Sequence, residues 1–186
     1  RLMTSTEHRS GTDRCGEVLR TLEQKGERYD VVINLQGDEP FVQASQLESL
    51  ASCFEKPETA IATLKTHITS SEELSSPNNV KVVCASNGQA LYFSRQAIPY
   101  RRGEEFEHWL EEGEYFKHVG IYAFRSEVLK EMCQLPQSTL ECSEKLEQLR
   151  WLEAGYTIAV RETPCANIGI DTPADLDAAE NELKRI

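Results

Sequence analysis

Two acidic loops in this chain of 186 residues sit where ligands are bound in α/β folds. Gln36-Gly37-Asp38-Glu39-Pro40 directly follows the apolar run at 30–35 (DVVINL). A carboxylate just past the C-terminal end of a buried parallel strand lies in the crevice that open α/β sheets use for binding. The hard oxygens of Asp38 suit Mg²⁺, and Gly37 permits close backbone approach or positive φ. An ordinary acidic turn punctuated by Pro40 is the other reading. The second loop is Ile170-Asp171-Thr172-Pro173-Ala174-Asp175-Leu176. Thr172 is a good N-cap and Pro173 suits the first helical position. Asp171 would then stand before a helix N-terminus, where an anion is favoured. Helix capping alone explains that arrangement too.

Three further groups have useful chemistry. His8-Arg9-Ser10-Gly11-Thr12-Asp13-Arg14 places hydroxyls and a glycine at a helix start, which suits an anion or base and equally suits simple capping. Ser94-Arg95 follows a strand, and Arg95 offers a fork of donors. His118-Val119-Gly120-Ile121-Tyr122 and Glu147-Gln148-Leu149-Arg150 mix donors and acceptors. Their plain readings are a satisfied structural histidine and a solvated helix face.

The elements that must position these groups alternate. Helical spacing of Cys15, Val18, Leu19 and Leu22 predicts a helix over 12–25, stopped by Gly26. The continuous apolar run at 30–35 predicts a strand buried on both faces in a parallel sheet. Ser45 with Glu48 predicts a capping box for a helix to about Phe54. Strands are expected at 60–66, 116–124 and 157–162. A type I′ hairpin is expected at Asn87-Gly88. Residues 101–114 read as a charged surface loop with a helical turn or two. Helices are expected at 126–132, at 143–154 closed by Gly155, and after Pro173. The sum is one α/β domain over 1–186: a Rossmann-like, mixed and mostly parallel sheet flanked by helices.

Composition removes several function classes. A net charge of −11 argues against nucleic-acid or anionic-membrane binding. An anionic substrate would need local Arg, Lys or metal charge against that field. Six scattered cysteines without a C-x-x-C pair argue against zinc and for buried free thiols in a reducing cytoplasm. No run is long and apolar enough to span a membrane, and no signal peptide is evident.

Taken in order along the chain, these segments resemble one family. The matching stretches are 3–14, Val32-Ile33-Asn34-Leu35-Gln36-Gly37-Asp38-Glu39-Pro40, Pro77-Asn78-Asn79-Val80-Lys81, and Ala90-Leu91-Tyr92-Phe93-Ser94-Arg95 with Ile98-Pro99. His118-Val119-Gly120-Ile121-Tyr122, 146–150 and 169–176 complete the set. Together they resemble the 3-deoxy-manno-octulosonate (Kdo) cytidylyltransferases. The resemblance implies a nucleotide-diphospho-sugar transferase fold and a cytoplasmic homodimer. It implies a Mg²⁺-dependent reaction of CTP with Kdo, giving CMP-Kdo and diphosphate for lipopolysaccharide synthesis. It places Asp38 and Asp171 as metal carboxylates, and Arg95, His118, Tyr122, Glu147 and Gln148 on the sugar. Ser10, Thr12, Arg14 and Gln36 fall on the nucleotide side. The family opens with a strand and a basic phosphate-cradling loop that this sequence lacks, so an N-terminally incomplete enzyme is the expectation. Two alternatives remain: a CMP-sialic acid synthetase, and a folded but inert fragment of the Kdo enzyme.

Overall fold

A computed structural model describes residues 1–37 and 41–164. Asp38, Asp171, Cys165 and the helix expected after Pro173 lie outside the described residues. The first helix, α1, spans Gly11–Gln24. Strand β1 (Val31–Asn34) follows, then α2 (Ala44–Ser52), β2 (Ile61–His67) and the short α3 (Ser71–Ser75). Next come β3 (Lys81–Cys84), β4 (Ala90–Ser94), α4 (Trp109–Glu112) and β5 (Phe116–Arg125). The described part closes with α5 (Ser126–Met132), α6 (Thr139–Glu144), α7 (Gln148–Glu153) and β6 (Ile158–Glu162).

The six strands form one mixed sheet in the order β4-β3-β5-β2-β6, with β1 also paired to β5. The parallel content is smaller than the strand–helix alternation predicts. Among the described residues only β2 and β6 run parallel, while β5 is antiparallel to β1, β2 and β3. The run at 30–35 is therefore no strand buried on both faces. Val31, Val32 and Ile33 are half-buried, and only Asn34 is sealed. Among the described residues β1 pairs with β5 alone, beside an apolar cavity of about 310 Å³ lined by Cys15, Val18, Leu19, Val31 and Val32. An apolar run records the wish to be buried, but its partner and direction are set by residues far away.

Local signals were right in place more often than in detail. Gly26 ends α1 at φ 88°, as the sequence predicts. The α2 box uses Gln43 and Gln46, with the Gln46 side chain accepting from the Gln43 amide at 2.9 Å, so the helix starts earlier than Ser45. The β3–β4 hairpin turns at the expected residues but is not type I′. Only Gly88 takes positive φ (80°), Asn87 does not, and the Gly88 amide donates to Ala85 O at 2.9 Å. The helix expected over 143–154 is two helices. Ser138 and Glu141 box the start of α6, and Lys145 stops it in the left-handed region at φ 55°. That break aims α7 separately and puts Glu147 and Gln148 at its beginning.

Two cores flank the sheet. Residues Val119, Ile121 and Ala123 of β5 face a cluster with Leu50, Ala62 and Leu64. Tyr122 and Phe124 face the other side with Leu19, Phe93, Leu149 and Trp151. Burying an aromatic ring such as Phe124 contributes about 2–3 kcal/mol. A third cluster, Trp109 stacked on Tyr115 with Ile68 and Leu74, anchors the charged loop at 101–114. Cys53 is buried, Cys15, Cys84 and Cys133 are half-buried, and Cys142 is exposed, so among the described thiols the expected burial is complete only for Cys53.

Candidate active site

The start of α1, strand β5 and the α6–α7 junction meet around Glu147. Ser10 caps α1, its hydroxyl accepting from the Asp13 amide at 3.2 Å. Two residues on, the Thr12 hydroxyl donates to Glu147 Oε2 at 2.8 Å. Gly11 lies between them in close quarters. A Cβ there would stand 3.1 Å from Asn34 Nδ2, so the bare glycine lets the end of β1 close onto the start of α1. Neither Asn34 nor Gly11 is singled out by residue type alone.

Glu147 is mostly buried, and burial pushes its carboxyl above the usual carboxylate range. Hydrogen bonds from Thr12 and Ser10 and the Arg150 charge oppose that shift, and Asp13 adds to it. Its other oxygen, Oε1, is buried with no hydrogen-bond partner among the described residues, and so are Tyr122 Oη and Trp151 Nε1. Tyr122 keeps its proton at all ordinary pH, chiefly through burial and also through Glu147. Arg150 acts on this carboxylate only through its charge, without a hydrogen bond. It forks onto Glu141 at 2.8 and 2.5 Å and stands 3.9 Å from Glu147.

His118 and Tyr122 share a face of β5, their rings 5.2 Å apart. Four residues of regular strand would span about 13 Å, so β5 cannot be regular between them. Thr63 of β2 is opposite Tyr122 while Leu64 is opposite Val119. Two residues, Gly120 and Ile121, are looped out, and the pair meets as near neighbours. Phe93 of β4 packs edge-on against His118 and Trp151 of α7 edge-on against Tyr122. Burial holds the His118 ring down to about 3, so it is neutral at pH 7.

Arg95 lies just beyond β4. Its Nε donates to Glu144 O at 2.7 Å and its Nη1 to Pro77 O at 2.9 Å. The Glu144 carboxylate is occupied elsewhere, by the Ser94 hydroxyl and the Arg95 amide. Among the described residues, therefore, carbonyls orient the guanidinium and no carboxylate neutralises it. Lys81 is sealed nearby, donating to Ser76 O at 2.8 Å. Burial and the Arg95 charge bring it down to about 8 against the pull of Glu144.

Ser10, Thr12, His118, Tyr122, Glu147 and the buried Gln148 thus gather in one region, with Arg95 joined through Phe93 and Glu144. Arg14 and Gln36 do not join them. The Arg14 guanidinium reaches Thr4 Oγ1 and Ser5 O, and Gln36 is exposed past the end of β1. Sequence reasoning missed Thr63 and Glu144, which support His118 and Arg95 from behind. A hydroxyl inside the apolar strand 60–66 was the one signal for Thr63.

The raised Glu147 carboxyl gives a stability prediction. A group whose folded value lies above its unfolded one stabilises fully at low pH and loses that contribution as pH rises through the folded value. Burial disfavours the charged form, so an ionised Glu147 with one oxygen unpartnered among the described residues becomes a burden as pH rises. Glu147→Gln is expected to raise the thermal midpoint by about 2–4 °C at pH 7.5, with the gain fading towards pH 4. Calorimetry at the two pH values checks this, and a lower midpoint at pH 7.5 refutes it.

Comparison with known proteins places the arrangement. Residues 1–159 match the family described as cytidylyltransferase. A 3-deoxy-manno-octulosonate cytidylyltransferase of Phocaeicola vulgatus is 54% identical over 99% of this chain and 73% of its own length. That of Bacteroides thetaiotaomicron is 53% identical over 98% of this chain and 73% of its own. The solved structure of a CMP:2-keto-3-deoxy-manno-octonic acid synthetase complexed with CTP superposes with a TM-score of 0.86. It is 41% identical and covers 99% of this chain and 72% of that one. A glucose-1-phosphate thymidylyltransferase of Bacillus anthracis, 15% identical with a TM-score of 0.56, shares the fold. A family model matched over residues 1–159 and relatives 54% and 53% identical over nearly the whole chain show that the chain belongs to the cytidylyltransferase family, alongside the 3-deoxy-manno-octulosonate cytidylyltransferases.

Proposed function

We propose that this chain joins CTP to Kdo, releasing diphosphate and forming CMP-Kdo. Three buried polar atoms lack a hydrogen-bond partner among the described residues, and the observation that carries the reading is that two of them, Tyr122 Oη and Glu147 Oε1, stand together at the site, the third being Trp151 Nε1. Buried polar groups are normally satisfied, and each exception calls for a partner. A polyol brings hydroxyls that both donate and accept. Tyr122 would donate to one, Glu147 would accept from another, and neutral His118 and Gln148 would add to the set. The uncompensated Arg95 guanidinium suits the carboxylate of the sugar acid, which it can grip with two parallel bonds.

The reaction needs alignment and charge neutralisation more than covalent help. The sugar's anomeric hydroxyl attacks the α-phosphorus in line and diphosphate leaves. Arg95 and the Tyr122–Glu147 pair hold the sugar so that this hydroxyl faces the nucleotide. Ser10 and Thr12 sit at the N-terminus of α1, on the nucleotide side with Arg14 and Gln36. His118 orients and, staying neutral, is not assigned as a base.

Asp38 and Asp171 are read as the residues that would hold Mg²⁺. Among the described residues no group of three or more His, Cys, Asp or Glu could hold a metal, and two carboxylates are a donor set that suits Mg²⁺. Bound there, Mg²⁺ would supply charge neutralisation for the triphosphate and Lewis acidity.

Among the described residues no helix is long and apolar enough to cross a membrane. Leu91 and Tyr100, both exposed, lie on the segment through which the family resemblance implies a homodimer. Diphosphate release from CTP and Mg²⁺ with Kdo or with sialic acid tests the function. Turnover with Kdo is expected. Turnover with sialic acid alone would select the sialic acid enzyme, and no turnover with either would select the inert fragment.

A further inference from the structure

At the irregularity in β5 one side chain meets two backbone carbonyls, that of the looped-out Ile121 and that of Val119 just before it. The Thr63 hydroxyl is fully buried, 2.8 Å from Ile121 O and 3.3 Å from Val119 O. The same oxygen is 2.9 Å from His118 Nε2. A hydroxyl has one proton and can accept as well as donate. Carbonyls only accept, so the Thr63 proton goes to the nearer one, Ile121 O. The contact with His118 must then run the other way, from Nε2–H to Thr63. A neutral imidazole protonated on Nε2 carries its lone pair on Nδ1, which has no partner among the described residues.

We propose that Thr63 is a positioning residue for the sugar acid, pinning the β5 bulge and holding His118 in the Nε2–H tautomer so that Nδ1 accepts a hydrogen bond from a sugar hydroxyl. This rests on the function proposed above. It makes His118 selective for a hydroxyl hydrogen at that position and blind to a bare carbonyl or carboxylate oxygen, which it would repel. Burial of the ring keeps this state across the physiological range.

Long-range ¹H–¹⁵N spectra of histidine-labelled protein, with His118 assigned by its loss in His118→Gln, read the tautomer directly. Wild type is expected to show a protonated Nε2 and a bare Nδ1 from pH 6 to 8, and added Kdo should shift the Nδ1 signal. Thr63→Val is expected to mix the tautomers and raise KM for Kdo about tenfold, the effect of one lost hydrogen bond, with KM for CTP within twofold. Thr63→Ser should restore both. A protonated Nδ1 in wild type overturns the proposal. So does a Thr63→Val protein with unchanged tautomer and KM, or an enzyme that turns over Kdo without moving the His118 signals. If Thr63→Val fails to fold, the wild-type spectrum and Thr63→Ser decide. Failure of the function proposal looks different: the tautomer stands and no diphosphate is released with Kdo.

Discussion

Asp38→Asn and Asp171→Asn are each expected to lower turnover of CTP and Kdo by about 1,000-fold or more while moving the thermal midpoint by less than about 2 °C. The first number follows from what one charged or dipolar group contributes when it faces developing charge in a transition state. Here a missing carboxylate also weakens the metal that would face it. The second follows because Asp and Asn have nearly the same size and shape, so the change removes a charge without opening a cavity or overfilling a site. Two carboxylates brought together without a cation would repel, so removing one charge could even raise stability in metal-free buffer. Steady-state rates over a Mg²⁺ series, with melting curves at matched Mg²⁺, check both halves. Near-normal turnover in either variant removes that residue from the metal site.

Arg95→Met is expected to raise KM for Kdo about 100-fold and leave KM for CTP within about threefold. Truncating one partner of a desolvated charge pair commonly costs 2–5 kcal/mol. The guanidinium is already aimed by Glu144 O and Pro77 O, so little is spent ordering it when substrate arrives. The same two bonds mean the variant also loses stability, about 1 kcal/mol for each. A fall of several degrees in the thermal midpoint is therefore part of the expectation and does not explain a loss confined to one substrate. Arg95→Lys should recover little, because a single ammonium cannot keep both carbonyls and still grip a carboxylate. Equal increases in both KM values would assign Arg95 a purely structural role.

How much of this was legible in the chain depends on distance along it. The strands at Ile61–His67, Phe116–Arg125 and Ile158–Glu162 and the helix Ser126–Met132 lie where composition puts them, although no side chain caps that helix and the Ser126 hydroxyl donates to Tyr29 O instead. Their signals are local. The orientation of β1 was not legible, because whether Val31 pairs with Arg125 or with a parallel neighbour is decided nearly a hundred residues away. The split of 143–154 was missed for a different reason. Leu146, Leu149 and Leu152 fit one helical stripe, while the Ser138–Glu141 box that starts α6 lay upstream of the stripe. In the site, residue types announced the groups that would touch a ligand. They were silent on the supports: Thr63 is 55 positions from His118, and Glu144 is 49 from Arg95.

The looped-out pair in β5 has a consequence for length as well as for aim. Side chains on a strand alternate with period two, and a one-residue bulge shifts that phase. Here two residues are added, an even number, so the alternation passes through undisturbed. Phe116, Tyr122 and Phe124 keep to one core, and Val119, Ile121 and Ala123 to the other, across the irregularity. The strand therefore obeys a parity rule. Losing one residue between His118 and Tyr122 would turn the whole N-terminal half of β5 inside out, while losing both Gly120 and Ile121 would keep the remaining side chains on their own faces, at the cost of the buried Ile121 side chain and of the Ile121 carbonyl that Thr63 holds.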